Sequence, residues 1–306
     1  MPSIRSKIFI WLIKNRHLLK MQLKPDVVDA SFSVARFREE VDKSTAKMKM
    51  PRDITTQKTD IDAMEGEWIV PDQVCEGKVL LYVHGGGFIS GSCQTHRIHV
   101  AKFARGCRLK SLLFNYRLAP EHPFPAAVDD CVTAYRWLLK NGYEPHDIVV
   151  GGESAGGTLT LSLLLALKER GIAMPRAAFS ISPVTDLRCL ADSFKTNAKN
   201  DIAPMGSWDV WTQLYIADTD PTSPLLSPWF GDFKGLPPLL ICVGTHEIHH
   251  DDCVNVAKKA EKDGVEVILR QWPEMVHAFP ILAPLFPEAK KALAEICDFA
   301  KTRLEC

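Results

Sequence analysis

A serine held between glycines, where an apolar run gives way to a helical one, is a residue placed for nucleophilic chemistry. The stretch Val149-Val150-Gly151-Gly152-Glu153-Ser154-Ala155-Gly156-Gly157 contains Gly-x-Ser-x-Gly, with Gly152 and Gly156 flanking Ser154. It follows an apolar run at 148–150 and precedes a helical run at 158–168. A strand that turns directly into a helix strains its central residue, and small neighbours relieve the crowding. Ser154 would then present its hydroxyl at a helix N-terminus, where the helix dipole favours developing negative charge. By itself the pattern also fits a small-residue turn where strand and helix pack closely.

A second glycine cluster removes much of that ambiguity. The run 78–83 reads as a buried strand and leads straight into His84-Gly85-Gly86-Gly87-Phe88. Three consecutive glycines destabilise any regular element, so they mark a loop whose backbone approaches something closely. Neither Gly-x-Gly-x-x-Gly nor a Lys-Ser/Thr ending follows, which argues against a phosphate cradle. Free N–H groups there can stabilise an oxyanion, each worth about a hundred- to a thousandfold in rate.

Together with Tyr116-Arg117-Leu118-Ala119-Pro120-Glu121-His122-Pro123-Phe124-Pro125-Ala126, these two motifs resemble the hormone-sensitive-lipase branch of the α/β-hydrolases, whose bacterial members are the family IV esterases. The resemblance runs from the first sheet strands to the last helix. It departs at Glu153, where the family more often has Asp, a change that keeps the charge. It implies an α/β-hydrolase fold: a mostly parallel eight-stranded sheet with helices on both faces and a helical cap.

A serine hydroxyl needs a positioned base, and in this fold the chain order is Ser, then acid, then His. His277 follows the last strand-like run and stands in His277-Ala278-Phe279, the kind of segment in which the family carries its catalytic histidine. The preceding run, 239–243, leads into Gly244-Thr245-His246-Glu247-Ile248-His249-His250-Asp251-Asp252. The residue matching the family's acid position is Glu247. A glutamate can fix the imidazole tautomer as an aspartate does. Asp251 and Asp252 are its rivals, although they suit the opening turn of the following helix. His246, His249, His250 and the two aspartates also look like a metal cluster, but a tetrahedral site needs converging side chains, and a solvated turn is the simpler reading.

The family's oxyanion donors fall on the N–H groups of Gly86, Gly87 and Ala155, with His84, Gly85, Gly152 and Gly156 supporting the motifs. His84 is expected to shape its loop rather than carry protons. Arg117, Glu121 and His122, among prolines, are expected to stiffen the wall behind the site. Asp186 suits either the nucleophile's turn or a helix cap.

The elements that must position these residues are legible in outline. Apolar runs at 79–83, 111–115, 148–150, 177–181, 239–243 and 265–271 alternate with helical periodicity at 96–105, 126–140, 159–168, 251–263 and 287–303. Such alternation implies a mostly parallel sheet, with ligands at the carboxyl ends of its strands. A hairpin over 60–70 is expected to bend at Met64-Glu65-Gly66. Between 187 and 234 the alternation stops, and Trp208, Trp211, Tyr215 and Trp229 appear among prolines. That insertion and residues 1–45 are expected to form the cap, leaving 46–186 and 235–306 as the core.

The chain has 306 residues, 46% of them hydrophobic and 24% charged, with 37 basic and 37 acidic residues. This balance points to neither nucleic acid nor an anionic surface. Nine cysteines without a Cys-x-x-Cys pair favour free thiols in a reducing compartment. The apolar stretch near the N-terminus is too short for a signal peptide or a membrane span, and reads as an amphipathic helix of the cap rather than a surface anchor. A cytoplasmic protein follows.

The implied reaction is hydrolysis of short- to medium-chain acyl esters through an acyl-enzyme, without cofactor or metal. Amidase or arylacetamide-deacetylase-like hydrolysis is the alternative within the same chemistry. A non-catalytic small-molecule receptor on this fold is the alternative outside it, although such receptors have lost the histidine that His277 supplies. The family also suggests a homodimer through the last strand, where 265–269 is a plausible edge.

Overall fold

The continuous apolar runs become strands buried on both faces, as parallel sheets require. The computed structural model describes residues 2–19 and 27–306. Met1 and residues 20–26, part of the expected cap, lie outside the described residues. In chain order the elements are α1 (Ile4–Lys14), α2 (Arg16–Leu19), α3 (Val34–Thr45), β1 (Ile54–Ile61), β2 (Met64–Pro71), β3 (Val79–Val83), α4 (Cys93–Cys107), β4 (Lys110–Phe114), α5 (Ala126–Lys140), β5 (Ile148–Glu153), α6 (Ala155–Glu169) and β6 (Ala177–Ile181). They continue with α7 (Ser193–Thr196), α8 (Ser207–Ile216), β7 (Leu239–Gly244), α9 (His250–Lys262), β8 (Val267–Trp272) and α10 (Pro287–Leu304).

One eight-stranded sheet has the order β1-β2-β4-β3-β5-β6-β7-β8, antiparallel only where β1, β2 and β4 pair. Strands β3, β5, β7 and β8 therefore end on the same side, and the loops that follow them meet there. Helix α6 follows β5 without a linker and is buried from Ala155 to Leu167. Each of its buried leucines contributes about 1.5–3 kcal/mol of transfer free energy, so the helix that starts beside Ser154 is anchored in the core.

Two expectations need correction. The hairpin turns at Asp62 and Ala63, not at Met64-Glu65-Gly66, since Ile61 faces Met64 across the turn. Asp62 takes the positive φ of 51° that a tight hairpin turn demands, and acidic and amide side chains tolerate it best after glycine. Gly66 instead lies within β2 beneath Ile61, where a Cβ would come 2.7 Å from that side chain. The thiols are not all free either: Cys75 and Cys306 form a disulfide that ties the approach to β3 to the C-terminus. The spacing of 231 residues hides such a pair from any local pattern. The other seven cysteines are thiols, and Cys93 is buried, which pushes its pKa up to about 12.

Candidate active site

Ser154 stands alone between β5 and α6 with φ 56° and ψ −126°, a backbone costing about 1–3 kcal/mol that the flanking elements must hold. Its N–H donates to the Ile181 carbonyl at 2.8 Å. Gly156 is required by packing, since a Cβ there would lie 2.1 Å from the Val83 carbonyl oxygen of β3. The elbow and the loop after β3 are thus pressed together by backbone contact.

That loop is built around buried side chains. His84 is fully buried and stacks on Tyr116 and His96, and its Nδ1–H donates to the Gly85 carbonyl at 2.8 Å. Burial, helped by nearby His96, drops its pKa to about 3, so it stays neutral. Glu153, beside the serine, accepts the Gly85 N–H at 2.8 Å and lies 3.2 Å from His96 Nε2. Gly86 and Gly87 have φ of 117° and 63°, and a Cβ on Gly87 would come 2.6 Å from the Trp211 ring. Among the described residues the N–H groups of Gly86 and Gly87 donate no hydrogen bond, whereas the Gly86 carbonyl accepts from Ile89, Ser90 and the Ser90 hydroxyl.

The other half of the site comes from the loops after β7 and β8. His277 Nε2 is 2.8 Å from Ser154 Oγ, and its Nδ1 is 3.3 Å from Glu247 Oε2. Glu247 is fully buried, and its other oxygen accepts the Gly244 N–H at 2.5 Å. Burial raises the Glu247 pKa against the pull of His277. Burial alone would lower that of His277, but the hydrogen bond and charge of Glu247, joined by Asp201 and Glu153, raise it. The Ser182 hydroxyl accepts the Ala278 N–H at 3.1 Å. His249 packs edge-on against His277, with ring centres 4.9 Å apart, and donates from Nδ1 to the Ser182 carbonyl. Burial, with the His277 charge, holds its pKa well below the usual value.

Ser154, Glu247 and His277 are therefore brought together, with Ala155 next to the serine in the chain and Gly85, which leads into Gly86 and Gly87, packed against it. Asp251 and Asp252 are not part of this group. They occupy the first turn of α9, yet their carboxylates serve other segments: Asp251 accepts the Ser193 N–H, and Asp252 those of Thr185 and Asp186. Burial lifts the Asp252 pKa to about 7. His250 turns to Asp251 and Gln271. Among the described residues no group of three or more His, Cys, Asp or Glu could hold a metal. The Asp186 carboxylate pairs with Arg188, while its N–H donates to Asp252 at the start of α9.

Some residues carry no sequence signal. Asp201 is buried between the two loops, accepting the His277 N–H and the Ile248 N–H, each at 2.9 Å. Arg38 of α3 forks onto Glu121 and donates to the Ile89 and Ala119 carbonyls, which fastens α3 to the glycine loop. Arg117 is paired with Asp130. Over the site, Trp208, Trp211 and Tyr215 recur on one face of α8. Trp208 meets His277 at 6.2 Å, Trp211 packs against Phe32 and Phe37, and Tyr215 stacks on Phe88. Trp229 instead lies in a short turn whose amide donates to Thr185.

Known proteins with this arrangement are hydrolases. The family described as the α/β hydrolase fold matches residues 80–281. An acetyl-hydrolase of Streptomyces hygroscopicus is 39% identical over 82% of this chain and 83% of that protein. An esterase of Acinetobacter venetianus is 36% identical over 74% of this chain and 76% of its own length. The crystal structure of an esterase from the bacterial hormone-sensitive lipase family covers 99% of both chains with a TM-score of 0.90 at 35% identity. An esterase/lipase from an uncultured bacterium covers 99% of this chain and 100% of its own, with a TM-score of 0.91 at 35% identity. A family match to residues 80–281 and structural agreement over nearly the whole chain leave one assignment: the protein belongs to the α/β-hydrolase fold family, in its hormone-sensitive-lipase branch.

Proposed function

We propose that this protein hydrolyses short- to medium-chain carboxylic esters through an acyl-enzyme on Ser154. The observation that supports this most directly is the 2.8 Å approach of His277 Nε2 to Ser154 Oγ, with buried Glu247 behind the ring. Ser154 Oγ attacks the ester carbonyl and its proton passes to His277 Nε2. The Nδ1–H donates to Glu247, whose negative charge stabilises the imidazolium. That contact is 3.3 Å in the free enzyme and tightens as the ring becomes charged. The oxyanion faces the N–H groups of Gly86, Gly87 and Ala155. His277 then protonates the leaving alcohol, and water releases the acid by the reverse steps.

Residues 1–45 and 187–234 are assigned to the cap. For α3 and α8 the support is their shared aromatic packing above Gly87, whereas α1 packs on α10 of the core through Phe9 and Phe286. The aromatic rings of Phe37, Trp208 and Trp211 over the site support short- to medium-chain acyl groups. A homodimer through the exposed edge of β8 and a cytoplasmic location complete the reading. The seven free thiols favour that location and the disulfide opposes it.

The deciding experiment is a series of p-nitrophenyl esters of rising acyl length beside a matched anilide, with a fluorophosphonate probe. Turnover of short esters, little of the anilide, and stoichiometric labelling of Ser154 are expected. Absence of labelling would remove the activated serine, and preference for the anilide would make the protein an amidase.

A further inference from the structure

The first helix carries apolar side chains on two faces, and among the described residues only one of them is covered. Phe9 packs at a tilt against Phe286, Ile10 is buried, and Ser6 and Lys14 line a cavity against Glu274 and Met275, just before His277. The opposite face holds Ile4, Ile8, Trp11 and Leu12, spaced i, i+4, i+7 and i+8 and therefore side by side. Their exposures are 77%, 56%, 57% and 38%. Leu18 and Leu19 of α2 continue the exposed set, whereas among the other exposed large apolar residues described Val27 and Met205 make a pair and Met48, Leu190 and Leu285 are scattered along the chain.

The charge around this stripe is segregated. Lys7 and Lys14 follow one border at i, i+7 spacing, and Arg5 lies on the other beside Leu12. Residues 1–25 contain six Lys or Arg and no Asp or Glu, in a chain whose formal net charge is zero. Lys7 has one acidic neighbour, Glu274 at 3.9 Å, and both side chains are about half exposed.

We infer that the outer face of α1 docks the protein on an anionic phospholipid surface. A helix of 11 residues is far too short to span a bilayer of about 30 Å. It is long enough to lie in the interface, with isoleucines and Trp11 among the acyl chains and its cations at the phosphates. A second copy of the chain fits less well, because a contact through this face would bring together the cations of two copies, Arg5, Lys7 and Lys14, with no acidic residue in either helix to offset them. Docking here would hold the turn before His277 close to the lipid surface, where apolar esters concentrate.

Co-sedimentation of the full chain tests this, using phosphatidylcholine vesicles with and without about 30% phosphatidylglycerol. At low salt the bound fraction is expected to be about tenfold higher on the anionic vesicles, and to fall steeply in high salt. Ile8→Ser with Trp11→Ser should lower anionic-vesicle binding about tenfold, with circular dichroism melting unchanged as the check on folding. Arg5→Glu with Lys7→Glu, which alters only exposed charges, should abolish the preference for anionic lipid. Equal partition onto both vesicle types, or serine variants that bind as the parent does, would overturn the inference. So would a parent that ignores vesicles while the serine pair converts a dimer to a monomer by light scattering, since a second copy would then own the face.

Discussion

The two halves of the site are held by different physics. Ser154 and the loop at 84–88 are fixed by main-chain shape: positive φ at Ser154, Gly86 and Gly87, and backbone contact at Gly156. Glu247 and His277 are fixed by side chains, through a buried carboxylate on the imidazole and a second one, Asp201, on the loops that carry them. A half built from backbone tolerates almost no change of residue size. A half built from carboxylates tolerates shape changes and responds to charge and pH.

The largest effect belongs to the atom both halves serve: Ser154→Ala should lower kcat by about four to six orders of magnitude with folding intact. Near-full turnover of that variant on p-nitrophenyl acetate would end the proposed mechanism. Glu247→Gln keeps the shape and removes the charge, so kcat should fall by about a thousandfold or more. A drop of less than tenfold would mean that the charge-held half depends on geometry alone. Gly87→Ala should cost about a hundred- to a thousandfold, the loss expected when an oxyanion donor is displaced. Adding Trp211→Ala should restore part of the rate if crowding is the cause, and no restoration would leave the φ of 63° as the constraint.

Asp201→Asn should have the smallest effect on rate, about tenfold in kcat, but it carries a diagnostic. The Asp201 charge raises the proton affinity of His277, so its removal should move the acid limb of the kcat profile to lower pH. An unmoved limb would reduce Asp201 to packing. In the parent enzyme the base must be neutral, so activity should rise with pH as His277 loses its proton. Because the His277 pKa is raised, the midpoint should lie above the ordinary value of about 6.5. A midpoint below 6, with chemistry rate-limiting, would contradict that electrostatic balance.

The same contrast explains what the sequence made legible. Backbone requirements leave marks as glycine spacing, so Gly-x-Ser-x-Gly and the triple glycine pointed to the elbow and its facing loop, and the apolar runs pointed to the parallel strands. Side-chain requirements leave weaker marks. Glu247 was selected over Asp251 and Asp252 by its position after β7 and by family likeness, since residue type did not separate them. Asp201 lies 46 residues before Glu247 in a polar stretch without periodicity, and only folding brings it between the two loops. The His96–Glu153 contact was invisible for the same reason. The hairpin failed differently: Gly66 resembled a turn residue, but a neighbouring side chain, not a turn, demands its small size.

Asp201 also sets a limit on how an ester can enter. It belongs to the segment assigned to the cap, yet it grips the main chain on either side of the acid and the base. A lid that swung away whole would dismantle the very imidazole it shelters. Displacement of the Phe37 and Trp211 rings on α3 and α8 alone would leave both grips of Asp201 intact.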